Sequence, residues 1–235
     1  MLSSYRLYRG NAMRELSILV DEAGQRDMSD GYYLLTLVVH DQSVPIVEHV
    51  EEYERQLRAG GLPDIPFHMV CLLHGHGDYD GLDAHVRKAL LSRFNAFVRR
   101  LPIEYHIFSY SSYDVGGVRE LSARMRRDLV NFVYEHIEGF QSFDRVVVYY
   151  DDGQQAVTKA LHEAFDFMLG EGSLGYRRIR YQARRLSQVA DYLSSVELAA
   201  LRYAEGTESS TYRKFYGLRG DLQCNFLKQA RRKSI

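Results

Sequence analysis

The fold of this chain is decided by residues 16–24, which read LSILVDEAG, an apolar run that ends in two adjacent acids and a glycine. An apolar run of this length is typical of a buried strand, and the glycine lets the backbone turn sharply after it. The same pattern recurs at residues 146–153, which read VVVYYDDG. Each stretch therefore predicts a buried strand that delivers carboxylates to an edge of a sheet.

A third acid, Asp191, lies in residues 188–203, QVADYLSSVELAALRY, whose apolar spacing predicts a helix. Gln188, Asp191 and Ser195 share the stripe beside the apolar face, because residues three and four apart are neighbours on a helix. A helix packed on the sheet would carry Asp191 beside the strand ends. Gathered carboxylates repel one another, so three acids placed in this way suggest a bound divalent metal.

In each of the two pairs of adjacent acids, Asp21–Glu22 and Asp151–Asp152, we favour one side chain as the one that takes part in the metal site. Side chains alternate along a strand, so Asp21 and Glu22 face opposite sides unless the strand ends between them. We favour Asp21 as the ligand and Glu22 as its neighbour. For the second pair we favour Asp151 for the chemistry and Asp152 as the cap of the following helix, although a one-residue shift of the strand end reverses this choice.

The acids also have purely structural interpretations. The DEAG stretch fits a solvated turn after a strand, and Asp191 fits an ion pair with Arg184 or Arg185. A separate string, HGHGDYD at residues 74–80, loosely resembles the HxHxDH motif of the metallo-β-lactamase hydrolases, which would suit zinc or iron. Its final histidine is missing, so a polar loop is the better interpretation. His68, just before it, is a candidate ligand, substrate contact or proton shuttle.

The length of the chain and the absence of a linker-like stretch predict one α/β domain over residues 1–235. Without residues 44–100, the order is strand, strand, strand, helix, strand, helix, strand, helix, which predicts a mixed β-sheet flanked by helices. Residues 44–100 would form a helical insertion between the second and third core strands, with residues 62–82 irregular. Residues 1–12 are a candidate extension before a start at Met13. The predicted strands are 14–20, 31–40, 103–110, 146–150 and 176–182, and the predicted helices are 44–58, 83–100, 115–138, 154–169, 187–204 and 212–232.

The composition of the chain predicts its cellular location and the kind of partner it binds. The chain has no signal-peptide core and no apolar run long enough for a membrane span, and its two cysteines have no metal-like spacing, so we expect a cytoplasmic protein with no membrane partner. Residues 177–233 contain 13 Lys and Arg against 5 Asp and Glu, a net charge of +8, whereas residues 1–176 carry −9. This basic segment, which includes most of the basic C-terminal extension 205–235, would suit nucleic acid, although a solvated face is the alternative. The candidate contacts are Arg177, Arg178, Arg180, Arg184 and Arg185.

Together, the DEAG stretch, the FH segment at 67–68, the YYDDGQ stretch and the QVAD helix resemble the domain-of-unknown-function 3800 family of bacteria and phages, from about Met13 to the basic C-terminus. Ala23 stands where serine is commoner in that family. The resemblance implies a ribonuclease H-like fold and a nuclease-like metal site. The implied principal residues are Asp21, Asp151 and Asp191, and the secondary candidates are Glu22, Asp152, Gln188 and His68.

The leading expectation is therefore an enzyme, a nuclease that hydrolyses phosphodiester bonds with one or two Mg²⁺ or Mn²⁺ ions. Oxygen ligands favour these hard cations over zinc. One alternative is a non-catalytic nucleic-acid or partner-binding protein that keeps the ribonuclease H-like fold. Another is a zinc or iron hydrolase that uses the HGHGD segment.

Overall fold

The computed structural model describes residues 13–235 apart from residues 26, 28, 30, 151–153, 170–173 and 179–183, and apart from the side chains at 168, 178 and 184. The strands are β1 (Glu15–Gly24), β2 (Tyr32–Asp41), β3 (Glu104–Ser111), β4 (Arg145–Tyr150) and β5 (Leu174–Arg178). The helices are α1 (Val47–Ala59), α2 (Met69–His74), α3 (Ala84–Arg100), α4 (Val118–Glu135), α5 (Ile137–Gln141), α6 (Gln155–Leu169), α7 (Arg184–Glu205), α8 (Ser210–Tyr216), α9 (Arg219–Leu222) and α10 (Lys228–Ala230).

The five strands form one open sheet in the order β3-β2-β1-β4-β5. Strand β2 is antiparallel to β1 and β3, whereas β1, β4 and β5 pair in parallel. Four of the strands therefore run in the same direction, and their carboxyl ends share one edge of the sheet. The prediction of an α/β fold with a mixed sheet flanked by helices is confirmed.

Both faces of the sheet are covered. Leu19 and Val38 pack on one face into a core that includes α1, α2, α3 and α7. Ile18 and Val20 pack on the other face into a core that includes α4 and α6. Because both faces are buried, the central strands are apolar on both sides, which is why residues 18–20 are all apolar.

Four predicted elements need correction. Strand β1 runs on to Gly24, because β2 continues to pair with it as far as Tyr33. The stretch 62–82, predicted to be irregular, contains α2 and a 3₁₀ turn at Gly77–Tyr79. The long helix predicted over 115–138 is divided at His136 into α4 and α5, and the final helix predicted over 212–232 is a series of short helices and turns. None of the described helices is long and apolar enough to cross a membrane.

His40 makes the stability of the fold sensitive to acid. It is 3% exposed, and its Nε2 atom lies 2.9 Å from the carbonyl oxygen of Val44. Burial lowers the pKa of His40 from 6.5, although the Val44 carbonyl and Asp41 act in the opposite direction. A histidine whose pKa is lower in the folded state binds its proton more readily when unfolded, so stability is lost as the pH falls below 6.5.

We therefore expect the His40→Gln variant to lose less stability on acidification than the wild type. Urea unfolding of both proteins at about pH 7.5 and about pH 5.5 measures the difference. Carboxylates contribute equally to both proteins, so comparing the two changes isolates His40. The same loss in both proteins would contradict this assignment.

Candidate functional site

Asp21 lies on the face of the sheet that α7 covers. It is directly opposite Thr36 on β2, and side chains at directly opposite positions share a face. The Thr36 hydroxyl accepts a hydrogen bond of 2.7 Å from the hydroxyl of Ser194, which belongs to α7. Because β1 continues beyond Asp21, Glu22 lies on the opposite face.

The carboxylate of Glu22 is held by three donors on that opposite face. It accepts hydrogen bonds from the hydroxyl groups of Tyr33 and Tyr150 and from the side-chain amide of Gln154. The Tyr150 hydroxyl also accepts a hydrogen bond of 2.9 Å from the backbone N–H of Gln154. Glu22 therefore ties the end of β1 to β2, to the end of β4 and to the residue that precedes α6.

Asp191 joins α7 to α2 with one of its two oxygens. Its Oδ2 atom accepts a hydrogen bond of 2.8 Å from the backbone N–H of Met69 and lies 3.2 Å from Nδ1 of His68. Met69 is the first residue of α2, and an acid at a helix N-terminus is stabilised by the unpaired N–H groups there. Among the described residues, the contact of its Oδ1 atom is a weak one of 3.5 Å with the Ser195 hydroxyl.

His68 connects the two acids electrostatically. The hydrogen bond with Asp191 raises the pKa of His68 above its ordinary value against the effect of burial, and the negative charges of Asp191 and Asp21 add to this increase. The side chain of His68 is 59% exposed, so its ring remains accessible from solvent. Asp21, His68 and Asp191 therefore share one electrostatic environment.

A single cavity of about 630 Å³ contains most of the described residues predicted for the site. Its lining includes Asp21, Glu22, His68, Gln188 and Asp191. Its walls also include Val70, His74, Leu198 and Tyr212. A second cavity, of about 480 Å³ at the opposite edge of the sheet, contains none of the described residues predicted for the site.

Arg185 has a structural environment that its sequence context does not reveal. Its guanidinium lies 3.1 Å from Glu54 and 2.8 Å from Asp64, stacks over the ring of Tyr53, and donates a 3.3 Å hydrogen bond to Gln188. Its charge is thus already compensated, so we remove Arg185 from the candidate nucleic-acid contacts. The described residues contain no ion pair between Arg185 and Asp191, and the side chain of Arg184, the other predicted partner, lies outside them.

Other predicted residues are only partly covered by the structure. Asp151, Asp152 and Arg180 lie outside the described residues, as do the side chains of Arg178 and Arg184. Arg177 is exposed and donates a hydrogen bond of 3.3 Å to the hydroxyl of Tyr149. Arg177 and Arg185 are the two of the five predicted arginines whose side chains the structure describes. With Arg185 removed, Arg177 is the one of these two that remains a candidate for phosphate contact.

The HGHGD segment runs from His74, the last residue of α2, through a short non-helical stretch into the 3₁₀ turn at Gly77–Tyr79, and its two histidines and Asp78 are exposed. His74 is the last residue of α2, and its ring lies parallel to that of His76 with centroids 6.1 Å apart. Across the part of the chain that the structure describes, no three His, Cys, Asp or Glu side chains form a group that could hold a metal ion. This finding applies equally to the HGHGD segment and to the described part of the acidic cavity.

Comparisons with family models and with curated protein sequences identify no relative. No family model matches the chain, and no curated protein sequence is significantly similar to it. The fold and the site together define an α/β protein with a mixed sheet and an acidic cavity at the edge where its parallel strands end.

Sequence reasoning missed several residues around the site. Met69 binds Asp191 through its backbone, for which a sequence carries no signal. Tyr33 and Tyr150 were recognisable only as strand residues, although alternation along the strands would have placed them on the face of Glu22. Tyr150 and Gln154 both lie in the YYDDGQ stretch, so a quoted motif already contained these two partners of Glu22.

Proposed function

We propose that this protein is a divalent-metal-dependent nuclease, a ribonuclease H-like member of the domain-of-unknown-function 3800 family. One observation carries the proposal: Asp21 and Asp191, far apart in the sequence, line the same cavity at the edge where the parallel strands end. Open α/β sheets place their ligand sites at this edge. The mixed sheet covered on both faces, with α1, α2 and α3 between β2 and β3, agrees with the fold that the resemblance implies.

The donor set fits a hard divalent cation. Asp21 and Asp191 provide carboxylate oxygens, the ligands that Mg²⁺ and Mn²⁺ prefer. In Asp191, Oδ2 already contacts Met69 and His68, while Oδ1 has, within the described part of the chain, the weak contact with Ser195, so Oδ1 is the oxygen with capacity to bind a cation. Two carboxylates are few ligands for a divalent cation. We therefore include Asp151, which follows the last residue of β4 in the sequence, as a third ligand.

The other residues of the cavity position these ligands. Glu22 fixes the end of β1 from the opposite face, and His68 holds Asp191 in place through its Nδ1 atom. Gln188 is buried beside them and is itself held by Arg185. A bound Mg²⁺ or Mn²⁺ would activate water and stabilise the negative charge that develops on the phosphate.

Titration calorimetry with Mn²⁺ tests this proposal directly. We expect metal-dependent heat with the wild type and at least about tenfold weaker binding by the Asp191→Asn and Asp151→Asn variants, since loss of even an outer partner of a metal site costs about 10–100-fold. Asp78→Asn is the matched control, because it removes one exposed acid from the HGHGD segment. A wild type that releases no metal-dependent heat would refute the metal site.

The second candidate is a nucleic-acid-binding protein without catalysis. It is favoured by the bonds of Asp191 to Met69 and His68, which by themselves explain why this acid lies beside the core. In that case the wild type binds oligonucleotides but gives no heat with Mn²⁺. Stoichiometric zinc or iron in the purified protein would instead indicate the HGHGD segment, whose exposed side chains make it the weakest of the three.

A further inference from the structure

A groove between α4 and α6 has a cationic lining that the proposed function does not use. It has a volume of about 310 Å³ and lies on the face of the sheet opposite α7. Its floor includes the small side chains of Ser122, Ala123, Ala156 and Ala160. Small residues let an extended ligand approach the helix backbones closely.

Three cations and one acid line this groove. Arg119 and Arg126 belong to α4, and Lys159 belongs to α6, whereas Glu163 is the acid. Glu163 lies 3.2 Å from Arg126 and 3.7 Å from Lys159, but these side chains are 37%, 51% and 74% exposed. Exposed ion pairs of this kind contribute little and exchange readily. Within the described part of the chain, Arg119 has no ion-pair partner.

The spacing of the cations favours a chain of anions over a single one. Arg119 and Arg126 are separated by two turns of α4, roughly 10 Å along the helix axis. One phosphate ion cannot bridge that distance, whereas the backbone of a nucleic-acid strand presents charges repeatedly along its length.

The position of the groove links it to the acidic cavity. Helices α4 and α6 follow β3 and β4, whose carboxyl ends lie at the same sheet edge as the end of β1. Both helices therefore begin at the edge that carries Asp21. Their N-terminal N–H groups add positive potential there.

We propose that the α4/α6 groove binds the phosphate backbone of a single nucleic-acid strand whose scissile part lies at the acidic cavity. The substrate role rests on the proposed function, but the binding itself needs no metal. DNA and RNA strands share this backbone chemistry, and separate DNA and RNA probes distinguish them. The cations of the groove would supply positive charge to the nucleic-acid strand, a role predicted in part for Arg185 from the sequence.

Fluorescence anisotropy with labelled oligo-dT and oligo-U, in buffer with EDTA, tests the groove without cleavage. We expect the Arg119→Gln/Lys159→Gln variant to bind the preferred strand roughly 20-fold more weakly at about 0.1 M salt, and its salt slope to be smaller by about 1.4, because two phosphate contacts are lost. The control is Lys88→Gln/Arg93→Gln, which removes the same two types of cation from exposed positions on α3.

The two variants give a clear decision. Weaker binding by the groove variant alone, with an unchanged melting temperature, supports the proposal. Equal binding by the groove variant and the wild type, an equal loss in the α3 control, or no binding of either probe by the wild type would overturn it. Because no metal is present, this result is independent of whether the protein binds Mn²⁺ or cleaves nucleic acid.

Discussion

The Asp21→Asn variant should lose metal-dependent cleavage of nucleic acid, by at least about 100-fold, while its melting temperature stays close to that of the wild type. Asparagine has nearly the same shape as aspartate but lacks the charge that a divalent cation requires. The effect should exceed the 10–100-fold typical of residues that only support a metal site. The measurement is cleavage of labelled single-stranded DNA and RNA with Mg²⁺ or Mn²⁺, followed on a denaturing gel.

Two further variants sharpen this experiment. Asp151→Asn should be as inactive as Asp21→Asn, because the proposal makes both residues metal ligands. Asp78→Asn should retain full activity, since it removes the same charge from an exposed position in the HGHGD segment. Undiminished cleavage by Asp21→Asn would eliminate the proposed mechanism, and loss of cleavage in Asp78→Asn alone would transfer the chemistry to the HGHGD segment.

Asp21 is a better test of the chemistry than Asp191. Asp191 also accepts the backbone N–H of Met69, so its replacement disturbs the start of α2 as well as the cavity. A loss of activity in an Asp191 variant therefore combines two effects. The titration of Asp191→Asn with Mn²⁺ measures the loss of metal binding. The melting temperature of the same sample measures the disturbance of α2, so the two effects are separated.

The parts of the fold that follow local periodicity were predictable. The strand that contains Leu19 is buried on both faces and leaves an apolar run, and the helix that contains Val189 buries one long face, which leaves a helical period in the sequence. Alternation along β1 also predicted correctly that Asp21 and Glu22 face opposite sides. Helix α2 was missed because it has only six residues and its first N–H is satisfied by Asp191, 122 positions further along the chain.

The electrostatic environment of the cationic side chains was the least predictable property, because the acids that pair with them are distant in the sequence. Arg185 belongs to a run of cations, but Glu54 and Asp64 reach it from more than 100 positions away and compensate it. Conversely, Arg119 and Lys159 lie in the part of the chain that carries −9 overall, so counting charges hid the cationic groove. A net charge over a segment says little about the local field on a folded surface.

The Glu22→Ala variant should lose about 2–4 kcal/mol of unfolding free energy, because it leaves polar groups of Tyr33, Tyr150 and Gln154 without their charged acceptor. Tyr33 and Tyr150 are 1% and 7% exposed, so water cannot easily replace the lost carboxylate. The Glu22→Gln variant should lose less, since its amide retains one acceptor oxygen for these donors. Urea unfolding measures both losses, and Glu51→Ala, which removes an exposed acid from α1, is the control.

The same variants separate the role of Glu22 from that of Asp21. A residue that only positions the end of β1 affects cleavage through the geometry of its neighbours, so Glu22→Gln should retain measurable activity under conditions in which Asp21→Asn has none. If Glu22→Gln were inactive while unfolding like the wild type, Glu22 would itself be a ligand, and the assignment of the two acids would have to be exchanged. A stability of Glu22→Ala equal to that of Glu51→Ala would show instead that the three hydrogen bonds do not hold the edge of the sheet together.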